Sequence, residues 1–262
     1  MRMIKQALDF SWGIRCVWLR YFDVFRKGLV YGLVTTLTEP LLYLLSFGIG
    51  MGSLIGNLHV HGITVTYRQF VFAGILAQTV LFQGFFEAAY GSFIRMYYQK
   101  IFQSISTTPI TLSEVLWGEL LWDASKGSFA AAGVLLIGSI TGDFSPWGAL
   151  LCLPLCFVFA FLFAAMGLWV ASISQTIEQI SYPQYLVVFP MFLFCGVFYP
   201  IDQLPHALQV FAWVLPLTSV LSLARTLTLG FPFEPQSVVI FTAWLIVLVM
   251  ASRRSMVRRL VK

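Results

Sequence analysis

Charge is what this chain most lacks. Of its 262 residues only 10% are Asp, Glu, Lys or Arg, while 59% are apolar and 16% aromatic. Soluble domains carry about 25% charged residues, and a water-facing surface cannot be tiled with so few. The mean hydropathy of +0.85 agrees. The apolar residues gather in runs long enough to cross a bilayer, so the solvent for most of the surface is lipid. A secreted disulfide scaffold, a disordered chain and an ordinary cytosolic enzyme are excluded. The N-terminus does not read as a cleaved signal, because Arg2, Lys5 and Asp9 are followed by Arg15, Arg20, Arg26 and Lys27 with no apolar stretch between.

The pattern predicts an all-α polytopic membrane protein with six transmembrane helices. The spans fall at about 29–55, 69–94, 114–141, 147–172, 185–199 and 236–252. Before them, 1–28 holds a cytoplasmic N-terminus and an amphipathic helix over 8–27. Its aromatic side (Phe10, Trp18, Tyr21, Phe22, Phe25) and basic side (Arg15, Arg20, Arg26, Lys27) suit the lipid headgroup layer. The transmembrane domain is 29–252, and 253–262 is a basic tail. In the first span Pro40 is expected to kink the helix. Gly48, Gly52 and Gly56 make a small-residue groove, and Ala160, Ala164, Gly167 and Ala171 give the fourth span another. Residues 57–68 read as a polar loop.

Between 200 and 235 five prolines isolate two apolar pieces, 206–215 and 217–230. Each is too short to cross about 30 Å of hydrocarbon at about 1.5 Å per residue. They are expected as outer half-helices that enter one leaflet and return. Lys and Arg concentrate before the first span, after the second and at the C-terminus. Only Arg68 and Arg225 fall on the opposite side, and Lys126 lies within the third span. Both termini and the 95–113 loop are therefore expected in the cytoplasm of an inner-membrane protein. The two three-span halves show no internal repeat.

Charges inside spans mark function or structure. Glu39 and Glu87 lie in the first two. Glu114, Glu119, Asp123 and Lys126 occupy the first half of the third, with 119, 123 and 126 on one face and Lys126 three residues after Asp123, in pairing range. They read as a structural set at the cytoplasmic mouth or as a gate for a polar headgroup. There is no phosphate-binding loop, HExxH, GxSxG or CxxC motif. His59 with His61, and Cys152 with Cys156, lack further ligands nearby, so no metal site is expected. Nothing pairs a nucleophile with a base, and nucleic acid is not an expected partner.

With these residues in view, the layout resembles the permease subunits of ABC-2-type exporters, and the NodJ type among them, which works with a NodI ATPase in lipo-oligosaccharide export. The matching segments are EPLLYLLSFGIGMGSLIG (39–56), FEAAYGSFIRM (86–96), GELLWDASKG (118–127) and GVFYPIDQLPHALQVFAWVLPLTSVLSLAR (196–225). The last carries the outer half-helix motif through Phe198, Tyr199, Pro200, Leu204, Pro205, Leu215 and Pro216. The resemblance implies a homodimer in membrane lipid, driven by two copies of a separate NodI-like ATP-binding subunit. ATP and Mg would sit on that partner, with no cofactor on this chain and no enzymatic site of its own. It also implies an ATPase-coupling helix in the first cytoplasmic loop, here Lys100, Ile101, Phe102, Gln103, Ser104, Ile105, Ser106, Thr107, Thr108, Pro109, Ile110 and Thr111. The expected cargo is a lipid-linked oligosaccharide, polysaccharide or other amphiphile. An ABC-2 drug-efflux permease is the alternative. An ion-driven transporter using Glu39, Glu87, Glu119 and Asp123 as a relay, and a lipid-modifying enzyme, are the readings from other classes.

Overall fold

The computed structural model describes residues 2–60 and 62–260. Helix α1 (Arg2–Lys27) leads into α2, a continuous helix over 29–55 with a π-helical stretch at Leu44–Met51. A hairpin follows, β1 (Asn57–Val60) and β2 (Ile63–Thr66). Helix α3 (Tyr67–Tyr97) contains a π-helical turn at Glu87–Gly91. Then come the short α4 (Ile101–Ser106), α5 (Leu112–Ile140) and α6 (Pro146–Ile173). Helix α7 spans 177–194 with a π-helical turn at Gln184–Val188, followed by α8 (His206–Val214), α9 (Pro216–Leu229) and α10 (Pro235–Leu260).

Five of these helices are long and apolar enough to cross a membrane: α2, α3, α5, α6 and α10. The bent pair α8–α9 gives a sixth if it counts as one span. The expected span at 185–199 is displaced. Its helix begins upstream at 177, inside the stretch read as a polar connector, and ends at 194, and Gly196 at φ +79° turns the chain.

The core is built around α3, where Phe70, Ile75, Val80 and Phe85 are fully buried. Close approach rests on small residues. A Cβ added at Gly84 would meet the Ala160 carbonyl at 2.8 Å, and one at Gly127 the Ala160 methyl at 2.9 Å. One at Gly167 would collide with the Phe85 carbonyl. The small-residue face expected on the fourth span is thus the α3–α6 contact. Gly48 and Gly52 have only ordinary contact distances to α3, and Gly56, at φ +68°, ends α2 ahead of the hairpin. Close packing therefore lies elsewhere than in the expected 48–52–56 groove. The helix also runs on through Pro40. Leu44 donates to the Pro40 carbonyl as the ladder widens into π-helical geometry.

The expected loop at 57–68 is an antiparallel hairpin pairing Asn57 with Thr66 and Val60 with Ile63. Gly62, at φ +77°, supplies the turn. His59 Nδ1 contacts Thr64 Oγ1 across it at 2.8 Å, while His61 lies outside the described residues. The aromatic side of α1 also differs from expectation. Trp18 hydrogen-bonds Ser125, Tyr21 and Phe25 lie against Trp122, and Phe25 stacks on Phe129. This side meets α5 where the sequence suggested lipid headgroups, because a partner helix buries the rings more fully. Arg15, Arg20 and Arg26 remain exposed.

The bundle has two distinct ends. At one, Arg259 donates to the carbonyls of Ala171 and Ser172 (both 2.6 Å) and lies over Tyr97. This gathers the C-terminal ends of α3, α6 and α10. At the other, Arg68 pairs with buried Asp143 at 2.7 Å beside the hairpin. Helices α8 and α9 meet there at 84°. At this break Thr218 donates to the Ala212 carbonyl and the Trp244 indole donates to the Val214 carbonyl at 2.9 Å, so the interrupted backbone keeps its partners.

Candidate functional site

Two features at the Tyr97 end combine into one site. The first is the connection between α3 and α5. Lys100 adopts the left-handed conformation (φ 52°) and starts α4, a helix of six residues. Only 101–106 of the expected 100–111 segment is helical; Thr108 hydrogen-bonds the Ile105 carbonyl at 2.6 Å and ends it. Phe102 is buried and Ile101 and Ile105 are half-buried, so this side is anchored. Gln103, Ser104, Thr107, Thr108 and Pro109 form the exposed side, and Ile110 is half-buried. Thr111 caps α5. Its hydroxyl accepts from the Glu114 amide, while the Glu114 carboxylate accepts from the Thr111 amide and hydroxyl at 2.5 and 2.6 Å. Glu114 is thereby occupied as a capping residue and stands apart from the deeper charges.

The second feature is a buried ionic cluster between α3 and α5. Arg95 is its centre. Its Nε donates to Glu119 Oε1 (2.5 Å), Nη1 to Glu87 Oε1 (3.1 Å) and Nη2 to Asp123 Oδ1 (3.0 Å). Ser92 donates to Glu119 at 2.8 Å, and the guanidinium lies 4.9 Å from the centre of the Tyr21 ring. Lys126 pairs with Glu87 at 2.5 Å. Glu119 and Asp123 are fully buried. Burying such charges is costly unless each is paired and hydrogen-bonded; the fork of Arg95 bonds one oxygen of each of three carboxylates from two helices, and Glu119 Oε2 is left buried without a partner.

Two expectations are corrected here. Lys126 bonds Glu87 across the helix interface and leaves Asp123 to Arg95. The π-helical turn at 87–91 carries Glu87 itself, an offset that a regular 3.6-residue period does not anticipate. Arg95, counted by sequence among the cytoplasmic loop charges, sits inside α3 and holds the cluster together. Its signal was present: an arginine nine residues after FEAAYG begins, opposite a third span with three acids and one base.

The remaining in-span acid, Glu39, is separate. It neighbours Gln78 and Tyr43 and borders an open groove of ≈ 620 Å³ along α2, with Thr35, Thr38 and Phe47. In the outer motif, Phe198 lies 4.4 Å from the Phe47 ring centre, Tyr199 donates to the Leu193 carbonyl at 2.7 Å, and the Leu204 carbonyl accepts from Gln209. Pro200 is buried; Pro205 precedes α8; Leu215 precedes α9, which Pro216 opens. Among the described residues no three His, Cys, Asp or Glu side chains gather as metal ligands.

A helical bundle with apolar crossings, a bent helix pair packed into one end and an anchored amphipathic turn at the other defines a multi-pass membrane permease. The family model for the ABC-2 type transporter matches residues 13–229, and the chain belongs to that family. It is the transmembrane permease subunit of an ABC exporter, and it pairs with an ABC ATP-binding subunit. The chain is similar to Nodulation protein J of Rhizobium meliloti (strain 1021), with 32% identity over 223 residues, 85% of this chain and 83% of that protein. Nodulation protein J of Bradyrhizobium diazoefficiens is 31% identical over 227 residues, 86% and 84% of the two chains. The inner membrane transport permease YadH of Escherichia coli (strain K12) is 24% identical over 209 residues, 80% of each.

Proposed function

We propose that two copies of this chain form the inner-membrane channel of an exporter for a lipid-linked oligosaccharide or similar amphiphile, driven by a NodI-like ATPase that seats on α4. Both termini face the cytoplasm, and ATP and Mg are held by the partner. The observation that carries this reading is the joint between α4 and the ionic cluster. A push on α4 reaches α3 and α5 together, because Arg95, six residues before α4 begins, ties them to each other. Exposed Arg15, Arg20, Arg26, Arg253, Arg254 and Arg258 on α1 and the end of α10 agree with a cytoplasmic placement. The cargo class rests on the relatives named Nodulation protein J, and the α2 groove beside Glu39 is a fitting path for a polar headgroup. The apolar outer faces of α2 (Leu42, Leu45) and α7 (Tyr185, Leu186) suit a second copy.

Co-expression with a NodI-type ATPase tests the reading. The ATPase is expected to co-purify with the chain and to change its ATP turnover. An ATPase that does neither overturns it. The double substitution Thr108→Asp with Pro109→Gly, on the exposed side of the loop, is expected to stop transport while leaving the chain folded. Intact transport would remove this loop from the mechanism.

A further inference from the structure

Arg225 is a buried cation whose charge is left over. It lies on α9, at the hairpin end, and is only 7% exposed. Nη2 donates to the carbonyls of Gly196 (2.8 Å) and Phe70 (3.4 Å), and the guanidinium lies 3.7 Å from the centre of the Phe70 ring. Nε has no hydrogen-bond partner. Among the described residues no carboxylate lies within ion-pair distance, whereas Arg68 at the same end has Asp143. Two carbonyl dipoles and a ring face solvate a guanidinium partly; they do not cancel its charge, and an uncompensated buried charge costs several kcal/mol.

The same side chain lines a small cleft of ≈ 50 Å³ that is partly open to the exterior. Phe70, Trp213 and Phe231 supply aromatic walls, and Thr218 and Ser222 supply hydroxyls. The carboxylates on its lining, Glu234 and Asp202, are less buried than Arg225. Glu234 is already engaged by Ser222 at 2.9 Å, and Asp202 is exposed. The cleft therefore has a cationic floor, apolar walls and a polar mouth. That order suits a molecule whose anionic group enters first.

We propose that this cleft binds a phosphate-type oxyanion, carried by an amphiphile headgroup, with Arg225 as its counter-charge. A guanidinium with no carboxylate partner matches tetrahedral oxyanions in charge and donor geometry. The site lies at the opposite end of the bundle from α4 and Arg95, and binding to it needs no ATPase, so it stands or falls apart from the transport reading.

The test is equilibrium binding to the purified full-length chain in detergent, with dihexanoyl phosphatidic acid as probe and neutral dihexanoylglycerol as control. Saturable binding of the phosphatidic acid alone is expected. Arg225→Gln should weaken it about tenfold or more, the scale of one charge-assisted contact. Ser222→Asp places a carboxylate on the cleft wall one turn from Arg225 and should abolish binding of an anion by repulsion, read on protein that remains folded by its thermal unfolding transition. Competition by inorganic phosphate would assign the site to the free ion as well, and its absence would assign it to the headgroup. Equal binding of the neutral control, no saturable binding of either phosphate probe, or unchanged affinity in a folded Arg225→Gln or Ser222→Asp protein overturns the proposal. If Arg225→Gln does not fold, Ser222→Asp decides.

Discussion

Arg95 organises the α4 end of the molecule by being the one donor shared by buried Glu119 and Asp123 and half-buried Glu87. Removing it strands Glu119 and Asp123 in a dry interface, a loss of about 3–5 kcal/mol for a broken buried pair. Arg95→Gln should therefore lower the unfolding free energy in mixed micelles by about that much. Lys126→Gln should cost less than half as much, because Lys126 has one partner and its side chain is 23% exposed. Neutralising the set together (Arg95→Met, Glu119→Gln, Asp123→Asn) should recover most of the loss, since no orphan charge remains. Equal costs for the two single changes would contradict this ranking. Lys100 makes a second residue-scale case. Its φ of 52° is unfavourable for any side chain with a Cβ, by roughly 1–2 kcal/mol. Lys100→Gly should raise the unfolding midpoint slightly, and Lys100→Val should lower it.

At the scale of elements, close packing of α3 against α5 and α6 depends on where side chains are missing. Gly167→Ala would drive a methyl into the Phe85 carbonyl, and backbone on both sides leaves nothing flexible to yield. A cost of about 1–3 kcal/mol is expected, the usual range for overpacking. Gly50→Ala, whose methyl meets nothing within 4 Å, should be neutral or better; thermal unfolding of the two proteins compares them directly. The elements themselves were largely legible. Apolar runs marked α2, α3, α5, α6 and α10, the Thr-Thr-Pro turn marked the α4 connection, and the prolines marked the α8–α9 break. What stayed hidden lies in contacts between helices. Spacing along α5 pairs Lys126 with Asp123 because it carries no information about Glu87 and Arg95, which arrive from α3. A charge count puts Arg95 in the loop, but α3 runs on to Tyr97. Among the described residues, π-helical stretches at 44–51, 87–91 and 184–188 further shift side chains off the regular period. The hairpin is also written in the sequence, since Val60, Ile63 and Val65 flank Gly62, but four-residue strands between two long apolar spans give a weak signal.

For the whole molecule, the two ends differ in how they treat charge, and that difference predicts an orientation. The end holding α4 and the tip of α10 presents unpaired, exposed arginines to solvent. At the end holding the hairpin and the α8–α9 break, Arg68 is exposed but paired with buried Asp143, and Arg225 is buried against the Phe70 ring. Exposed, unpaired cations resist transfer across the bilayer, whereas a cation paired with a carboxylate or folded into protein presents a smaller barrier. The α4 end should therefore be cytoplasmic, and single cysteines can report it. Ser104→Cys on the exposed side of α4 and Asp202→Cys in the turn before α8 are both solvent-accessible sites. Three native cysteines are buried and Cys16 is partly so, which makes a Cys16→Ser background suitable. A membrane-impermeant maleimide added to intact cells made permeable only in the outer membrane should label Asp202→Cys and leave Ser104→Cys unlabelled until the inner membrane is opened. The reverse pattern would place α4 outside, out of reach of any cytoplasmic ATPase, and would separate the charge asymmetry from the direction in which the chain is inserted.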